Sequence, residues 1–418
     1  MKGFSDIILR EMNNPSPIRE IMKMAEPKNI ISMGLNPSDV ISFGGGWVDH
    51  IAPEELMESY REIVSSGESF HFSGGYSPTS GFEETRESIK KFENILFNQN
   101  LNSENIIIGG SSSQLTIDLF RILLNDGDRI ILPDPTYANY TGQLAFVSRN
   151  IKIERIKFLD ENSWKYLENK NEIIEKISEE FKDKKVKAML LVSPDNPTSQ
   201  ILPEDFVDEL LKIADDTGTY IIFDFAYKTQ YFSETFPKYF SYSPEKHPSM
   251  ITVNSNSKWG RGLGRRMGWI EANADVVNAM ERMQQASILC PDTLHQMAFT
   301  KFVEKMGNRL RDYIDRVRME YRKSSEITSK AIEENLGFRY LKSMGGLYIV
   351  ADAGMDSDEF VIDVLKHTGV IFVPGKGFGP SLKNGIRISY GPLVRKNQKI
   401  IEGMERVGKY IRSRKGSY

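Results

Sequence analysis

The chain has 418 residues, of which 27% are charged and 40% hydrophobic, with a formal net charge of -3 and a single cysteine. That length exceeds one ordinary core, so two domains are expected in a soluble globular protein, and the charge gives no electrostatic reason to expect nucleic acid or an anionic membrane as partner. Cys290 alone excludes an internal disulfide and a cysteine-rich metal site, and fits a reducing compartment.

Residues 1–48 lie apart from the patterns that follow. Ser16-Pro17 reads as a helix start before an amphipathic stretch at 18–24. The triple glycine Gly44-Gly45-Gly46 and the segment from Tyr76 to Gly81 read, by themselves, as flexible turns.

From about residue 100 to 270 one arrangement repeats: a short β-branched apolar run, a cluster of Gly, Pro, Ser or Asn, then a longer amphipathic segment. This is the pattern of an α/β fold. The apolar runs at 106–108, 129–132, 187–192, 220–223 and 251–253 predict buried, mostly parallel strands. Helical patterns fill the gaps at 114–124, 171–181 and 203–215, with Pro203 suited to a first turn and Gly218 to a stop. Residues 274–335 are helix-rich and charged and should lead into a second domain, where strand-like runs at 346–350, 369–373 and 386–390 precede a closing helix at about 396–411.

Each of the five central runs ends in polar residues: 109–114, 133–137, 193–198, 224–227 and 255–266. Ligands of open α/β sheets bind outside the carboxyl ends of the strands, so clusters spread over the sequence can line one crevice. The last cluster places Lys258 between the hydroxyls of Ser255 and Ser257, with the guanidinium of Arg266 eight residues on. A lysine can condense with a carbonyl, and the hydroxyls and guanidinium can hold a phosphate dianion. Pyridoxal phosphate needs both functions. Asp224 ends an apolar strand, where a carboxylate is costly unless it meets a cation such as a protonated pyridine nitrogen. Ser112, Ser113 and Gln114 precede a helix whose free N–H groups and dipole favour a phosphate; locally they could equally be an ordinary serine cap. Arg387, flanked by Ile386 and Ile388, should point into a cleft and can hold a carboxylate through two parallel hydrogen bonds, or alternatively form an interdomain ion pair.

These segments, in this order from about residue 41 to 390, resemble the class I/II aminotransferases, pyridoxal-phosphate enzymes of fold type I. Their style is closest to the 2-aminoadipate, kynurenine and aromatic aminotransferase group. The resemblance implies an α/β fold: a large domain at 49–304 with a mostly parallel seven-stranded sheet flanked by helices, and a small α+β domain made of 1–48 and 305–418. It implies Lys258 as the residue that holds the cofactor and carries the proton, Asp224 at the pyridine nitrogen, and Tyr227 and Asn196 at the phenolic oxygen. It further implies Tyr137 against the ring face, Ser112, Ser113, Gln114, Ser255, Ser257 and Arg266 around the phosphate, Arg387 and Asn196 on the substrate carboxylate, and Gly45 closing over the substrate. Tyr76 matches a tyrosine sent to the phosphate of a neighbouring subunit, implying a homodimer with shared sites. Two positions depart from the pattern: Ser199 replaces the glycine of Asn-Pro-Thr-Gly, and Phe225 replaces a frequent glutamate after the aspartate.

The implied activity is transfer of an amino group from an L-amino acid to a 2-oxo acid, most plausibly 2-oxoglutarate, with ping-pong kinetics. A β-lyase or cyclopropane-forming synthase shares the same early chemistry, and a cofactor-sensing regulator is a non-catalytic alternative for which roughly 40 residues before the glycine segment leave no room for a DNA-binding domain. The five histidines are scattered without metal-ligand spacing, so no metal is expected. No dinucleotide Gly-x-Gly-x-x-Gly or Walker lysine motif is present. No apolar run approaches the roughly 18 to 20 residues needed to cross a bilayer, and the N-terminus lacks a signal-peptide core, so a cytoplasmic protein is expected.

Overall fold

The computed structural model describes residues 3–13 and 17–415. Its centre is a seven-stranded sheet of β1 (Ile106–Gly109), β2 (Arg129–Asp134), β3 (Lys152–Lys157), β4 (Val186–Val192), β5 (Tyr220–Asp224), β6 (Met250–Ser255) and β7 (Gly268–Glu271). The order across the sheet is β1-β7-β6-β5-β4-β2-β3. Only β7 is antiparallel to its neighbours; every other pairing is parallel.

The period of two explains the unbroken apolar runs. Ile106, Ile108, Ile131, Met189, Leu191, Ile221 and Phe223 enter one core, while their alternates Ile107, Ile130, Leu132, Leu190 and Ile222 enter another on the opposite face. Both faces are covered, so neither can be polar. The helices Ser112–Leu123 and Ala274–Ser287 pack together on the second face.

Two strands escape the sequence reading for physical reasons. β3 (Lys-Ile-Glu-Arg-Ile-Lys) lies at the sheet edge with a largely solvated exterior, so its alternation reads as polar. β7 has four residues and follows directly on the glycine- and arginine-rich loop. The helices fall close to expectation at Ser112–Leu123, Lys170–Phe181 and Glu204–Thr217, the last ending at Gly218 with φ 74°. Pro203 is the residue before its first turn rather than within it. The arm helix runs Pro17–Met24, and the expected start at Ser16 lies outside the described residues.

After the long helix Arg309–Asn335, β8 (Tyr348–Asp352), β9 (Val373–Pro374) and β10 (Gly385–Ser389) form an antiparallel sheet in the order β8-β10-β9. The short strand Ile41–Ser42 of the arm pairs in parallel with Val370–Ile371, so the N-terminal arm joins the part of the chain that follows the long helix. The closing helix is Asn397–Lys415.

A buried ion pair lies beneath the sheet. Lys228 Nζ donates to Glu93 Oε2 at 2.7 Å and to Gln99 Oε1 at 3.1 Å, below the ring of Phe97, while Gln99 also donates to the buried Glu271. Burial, opposed by Lys228 and reinforced by Glu271, pushes Glu93 up to about 7. Phe225 fits this setting: it stacks on Phe223, meets Phe240 edge-on, and lies beside the Lys228 ammonium. Lys228→Ala leaves the buried Glu93 carboxylate without its cation, beside the buried Glu271, and is expected to destabilise the fold by about 3–5 kcal/mol. Removing the cation raises the folded-state pKa of Glu93 further above its unfolded value. The loss should therefore grow as pH rises from about 7 to about 9, which urea unfolding of both proteins across that range would check.

Candidate active site

The carboxyl ends of the central strands open into one cleft of about 960 Å³, lined among others by Gly45, Ser112, Ser113, Tyr137, Asn196, Asp224, Tyr227, Ser257, Lys258, Arg266 and Arg387. Lys258 is partly buried and its Nζ donates to the carbonyl of Gly46 at 2.5 Å. Burial, together with the nearby Arg387 and Arg266 and against the pull of Asp224, lowers its pKa to about 8. The amine is thus far closer to its free base at neutral pH than an exposed lysine.

Asp224, at the end of β5, is buried. Its Oδ2 accepts from Tyr140 Oη at 2.6 Å and its Oδ1 from the backbone of Ala226 at 2.9 Å. Burial raises its pKa, and these hydrogen bonds and Lys258 oppose the rise. A carboxylate has about four acceptor sites, so two remain for a further donor in the cleft.

Arg387, on β10, is 4% exposed and donates to Asn196 Oδ1 and to the Gly44 carbonyl, each at 3.0 Å. Its guanidinium lies 4.4 Å from the centroid of Tyr348 and 4.9 Å from that of Phe378, an aromatic clamp that fixes the fork in plane. Antiparallel pairing sets this up: Arg387 faces Val350, so Tyr348, two residues earlier on β8, lies on the same side. Arg387 Nε is buried without a partner among the described residues. The Tyr227 hydroxyl lies 2.6 Å from that of Tyr348.

Ser199 accounts for its departure from glycine. It adopts φ 56°, the left-handed conformation a glycine would take, and its hydroxyl accepts from the backbone of Tyr348 at 3.1 Å. It thereby ties the Asn196 loop to the aromatic clamp.

The remaining expected residues are placed as follows. Ser111, not Ser112 or Ser113, caps the helix Ser112–Leu123 by accepting from the backbone of Gln114 at 3.1 Å. Gln114 turns its amide back onto the Gly110 backbone and Asp118, and is not among the cleft residues. Ser255 sits one layer behind the cleft, accepting from the backbone of Ser257 at 3.0 Å with its hydroxyl 2.7 Å from that of Ser257. Arg266 reaches the cleft but is exposed and donates to the Leu263 carbonyl of its own loop at 2.6 Å. Tyr76 is 83% exposed and takes no part in the cleft of its own chain. Gly268 is required by contact, since a Cβ there would meet the backbone nitrogen of Ser112 at 2.7 Å, and a Cβ on Gly45 would overlap the Trp47 ring at 2.0 Å and force it aside. Tyr140 and Tyr348 escape the sequence reading, although the three-residue spacing of Tyr140 from Tyr137 and the alternation of Tyr348 with Val350 carry their signal.

The aminotransferase class I and II family model matches residues 38–403. The chain belongs to this family. The aminotransferase is 26% identical over 406 residues to an aspartate aminotransferase of Pyrococcus horikoshii, covering 94% of this chain and 96% of that one. It is 27% identical to aromatic-amino-acid aminotransferase 2 of Thermococcus litoralis, covering 97% and 98%. In fold it is similar to the maleate-bound aspartate aminotransferase of Thermus thermophilus, with TM-score 0.82 at 22% identity over 97% of this chain and 100% of that one. The aminotransferase is therefore a pyridoxal-phosphate-dependent enzyme of fold type I that transfers amino groups between amino acids and 2-oxo acids. The donor set of the cleft fits that cofactor: an amine of lowered pKa for the aldehyde, spare carboxylate acceptors for the pyridine nitrogen, and hydroxyls, helix N–H groups and a guanidinium for the phosphate. No described helix is long and apolar enough to cross a membrane.

Tyr140→Phe removes a donor that favours the charged form of Asp224, so the carboxyl pKa rises and its charge is lost at higher pH. The acid limb of kcat/KM should move to higher pH, with a larger loss at pH 6 than at pH 8. Superimposable acid limbs for variant and parent would contradict this reading of the hydrogen bond.

Proposed function

We propose that Lys258 is the catalytic residue of this aminotransferase, with Asp224 and Arg387 fixing the two ends of the reacting system. The observation that carries this is the lysine amine, lowered to about 8, in the same cleft as a buried carboxylate and a clamped guanidinium. When bound, pyridoxal phosphate supplies an aldehyde for an amine and a ring that withdraws the electrons left at a substrate α-carbon. Lys258 Nζ would hold the aldehyde, be displaced by the substrate amine, and as a free base take the proton from the substrate α-carbon. Asp224 would accept from the pyridine N–H, Tyr227 and Asn196 would donate to the phenolic oxygen, and Tyr137 would cover the ring. Ser112, Ser113, Ser255, Ser257 and Arg266 would hold or support the phosphate, with Gln114 supporting the loop. Arg387 would take the substrate α-carboxylate beside Asn196, beneath the backbone at Gly45.

The chain divides, in this reading, into 49–304 and the combined 1–48 and 305–418; pairing of Ile41–Ser42 with Val370–Ile371 supports joining the arm to the C-terminal part. The second substrate is 2-oxoglutarate. Supporting a diacid, Arg19 and Arg155 line the cleft, Arg155 donating to the Thr141 hydroxyl at 3.1 Å and to the Pro133 carbonyl at 3.5 Å. A second copy of the chain completes the site through Tyr76, and would cover the exposed Ile51, Phe70, Phe72 and Leu289. Sedimentation should then give twice the 47.7 kDa chain mass, and a mass of one chain in the active enzyme would refute the shared site.

Lys258→Ala should lower kcat at least about 10³-fold, measured with an amino-donor panel against 2-oxoglutarate, oxaloacetate and pyruvate. The acceptor assignment requires the highest kcat/KM and stoichiometric glutamate with 2-oxoglutarate. Full activity of Lys258→Ala would remove the catalytic assignment.

A further inference from the structure

The turn that carries Lys258 is held from outside the cleft by a buried histidine with no part in the chemistry above. His50 is completely buried. Its Nε2 lies 2.8 Å from the carbonyl oxygen of Trp259, the residue after Lys258, and its Nδ1 lies 2.8 Å from Tyr321 Oη. A carbonyl can only accept, so Nε2 carries the proton; Nδ1 is then bare and accepts from the tyrosine hydroxyl. Tyr313 Oη donates to the same Trp259 carbonyl at 3.0 Å. Tyr313 and Tyr321 are eight residues apart on the helix Arg309–Asn335, about two turns and hence on one face.

The short segment from Gly46 to His50 therefore touches the lysine at both ends. The Gly46 carbonyl takes the Nζ hydrogen bond, and His50 takes the adjoining backbone. Between them, Asp49 pairs with Arg261 at 2.7 Å, and the His50 carbonyl accepts from the same guanidinium at 3.1 Å. The turn packs closely on the loop after it: a Cβ on Gly262 would meet Asn256 Oδ1 at 2.6 Å.

We infer that His50, oriented by Tyr321, is a positioning residue for Lys258: its Nε2–H fixes the Trp259 carbonyl and with it the direction in which the lysine side chain leaves the turn. Burial lowers the imidazole to about 4, with Arg261 adding to the effect, so the neutral tautomer persists throughout the neutral range. The energetic reason for a histidine is that the carbonyl is buried and needs donors, while the ring's second nitrogen links it to a helix of the neighbouring layer. A misplacement of about 1 Å at a reacting group can cost about 10²-fold in rate, so a group that touches no reactant can still set kcat.

This inference rests on Lys258 being the catalytic lysine, and one set of variants of the cofactor-loaded enzyme separates the two. Lys258→Ala tests that reading alone. His50→Ala is expected to lower kcat about 10- to 100-fold, to leave KM for the amino donor within about threefold, and to move the pH at which the visible absorbance of the lysine-bound cofactor changes. His50→Gln, which can present an amide N–H near the Nε2 position, should recover most of kcat and return the absorbance transition towards that of the parent. A His50→Ala enzyme with the parent's kcat and absorbance transition overturns the inference, whatever its melting temperature. So does an equal kcat loss in His50→Ala and His50→Gln with the transition unmoved, the mark of a merely structural role. Should His50→Ala fail to fold, Tyr321→Phe decides: the same split between kcat and KM with a moved transition supports the inference, and parent-like values overturn it.

Discussion

A carboxylate at the end of an apolar strand is the constraint around which this site is built. β5 is buried on both faces, and Asp224 is its last residue. Isolated there, the charge would be too costly to keep. Tyr140 and the Ala226 backbone offset part of that cost, and the positive cleft formed by Lys258, Arg266 and Arg387 faces it. The lysine in turn feels both signs: Arg387 and Arg266 disfavour its ammonium while Asp224 favours it. The two ionisable groups are held in a coupled balance, which is the condition an amine needs if it is to bind a carbonyl and later take a proton.

The geometry of the second, three-stranded sheet supplies the other fixed point. Arg387 reaches the cleft because β10 is the middle strand and its diagonal neighbour Tyr348 stacks under the guanidinium. Ser199 joins this clamp to the Asn196 loop through one hydroxyl, doing with a side chain what the glycine it replaces could not. A sequence difference that looks like a weakened motif is thus compensated locally: the backbone keeps its left-handed conformation and gains a hydrogen bond. Phe225 is a different case, since it belongs to the aromatic wall around the buried Lys228 and faces the core instead of the cleft.

The amino-acid order alone determined the α/β class, five of the seven central strands, the order of the polar clusters and the family. It did so because buried parallel strands must be apolar throughout, and because the residues that interrupt them are concentrated at one end of the sheet. The edge strand β3 and the four-residue β7 were not legible, the first because half its surface is solvated and the second because it is too short to show a period. Lys258, Asp224 and Arg387 stand out in the sequence as charged groups among apolar neighbours or glycines.

Only the tertiary structure decided what those groups touch. Tyr140 on Asp224, Tyr348 on Arg387, Gly46 on Lys258 and His50 on Trp259 join residues 39 to 212 positions apart, and no local period encodes such a distance. It also decided that Gln114 serves its own loop and that Tyr76 is exposed and does not line its own cleft. Sequence fixes which side chains are available and roughly which strand end they occupy. Their protonation, orientation and partners follow from burial and from distances set by packing between segments remote in the chain.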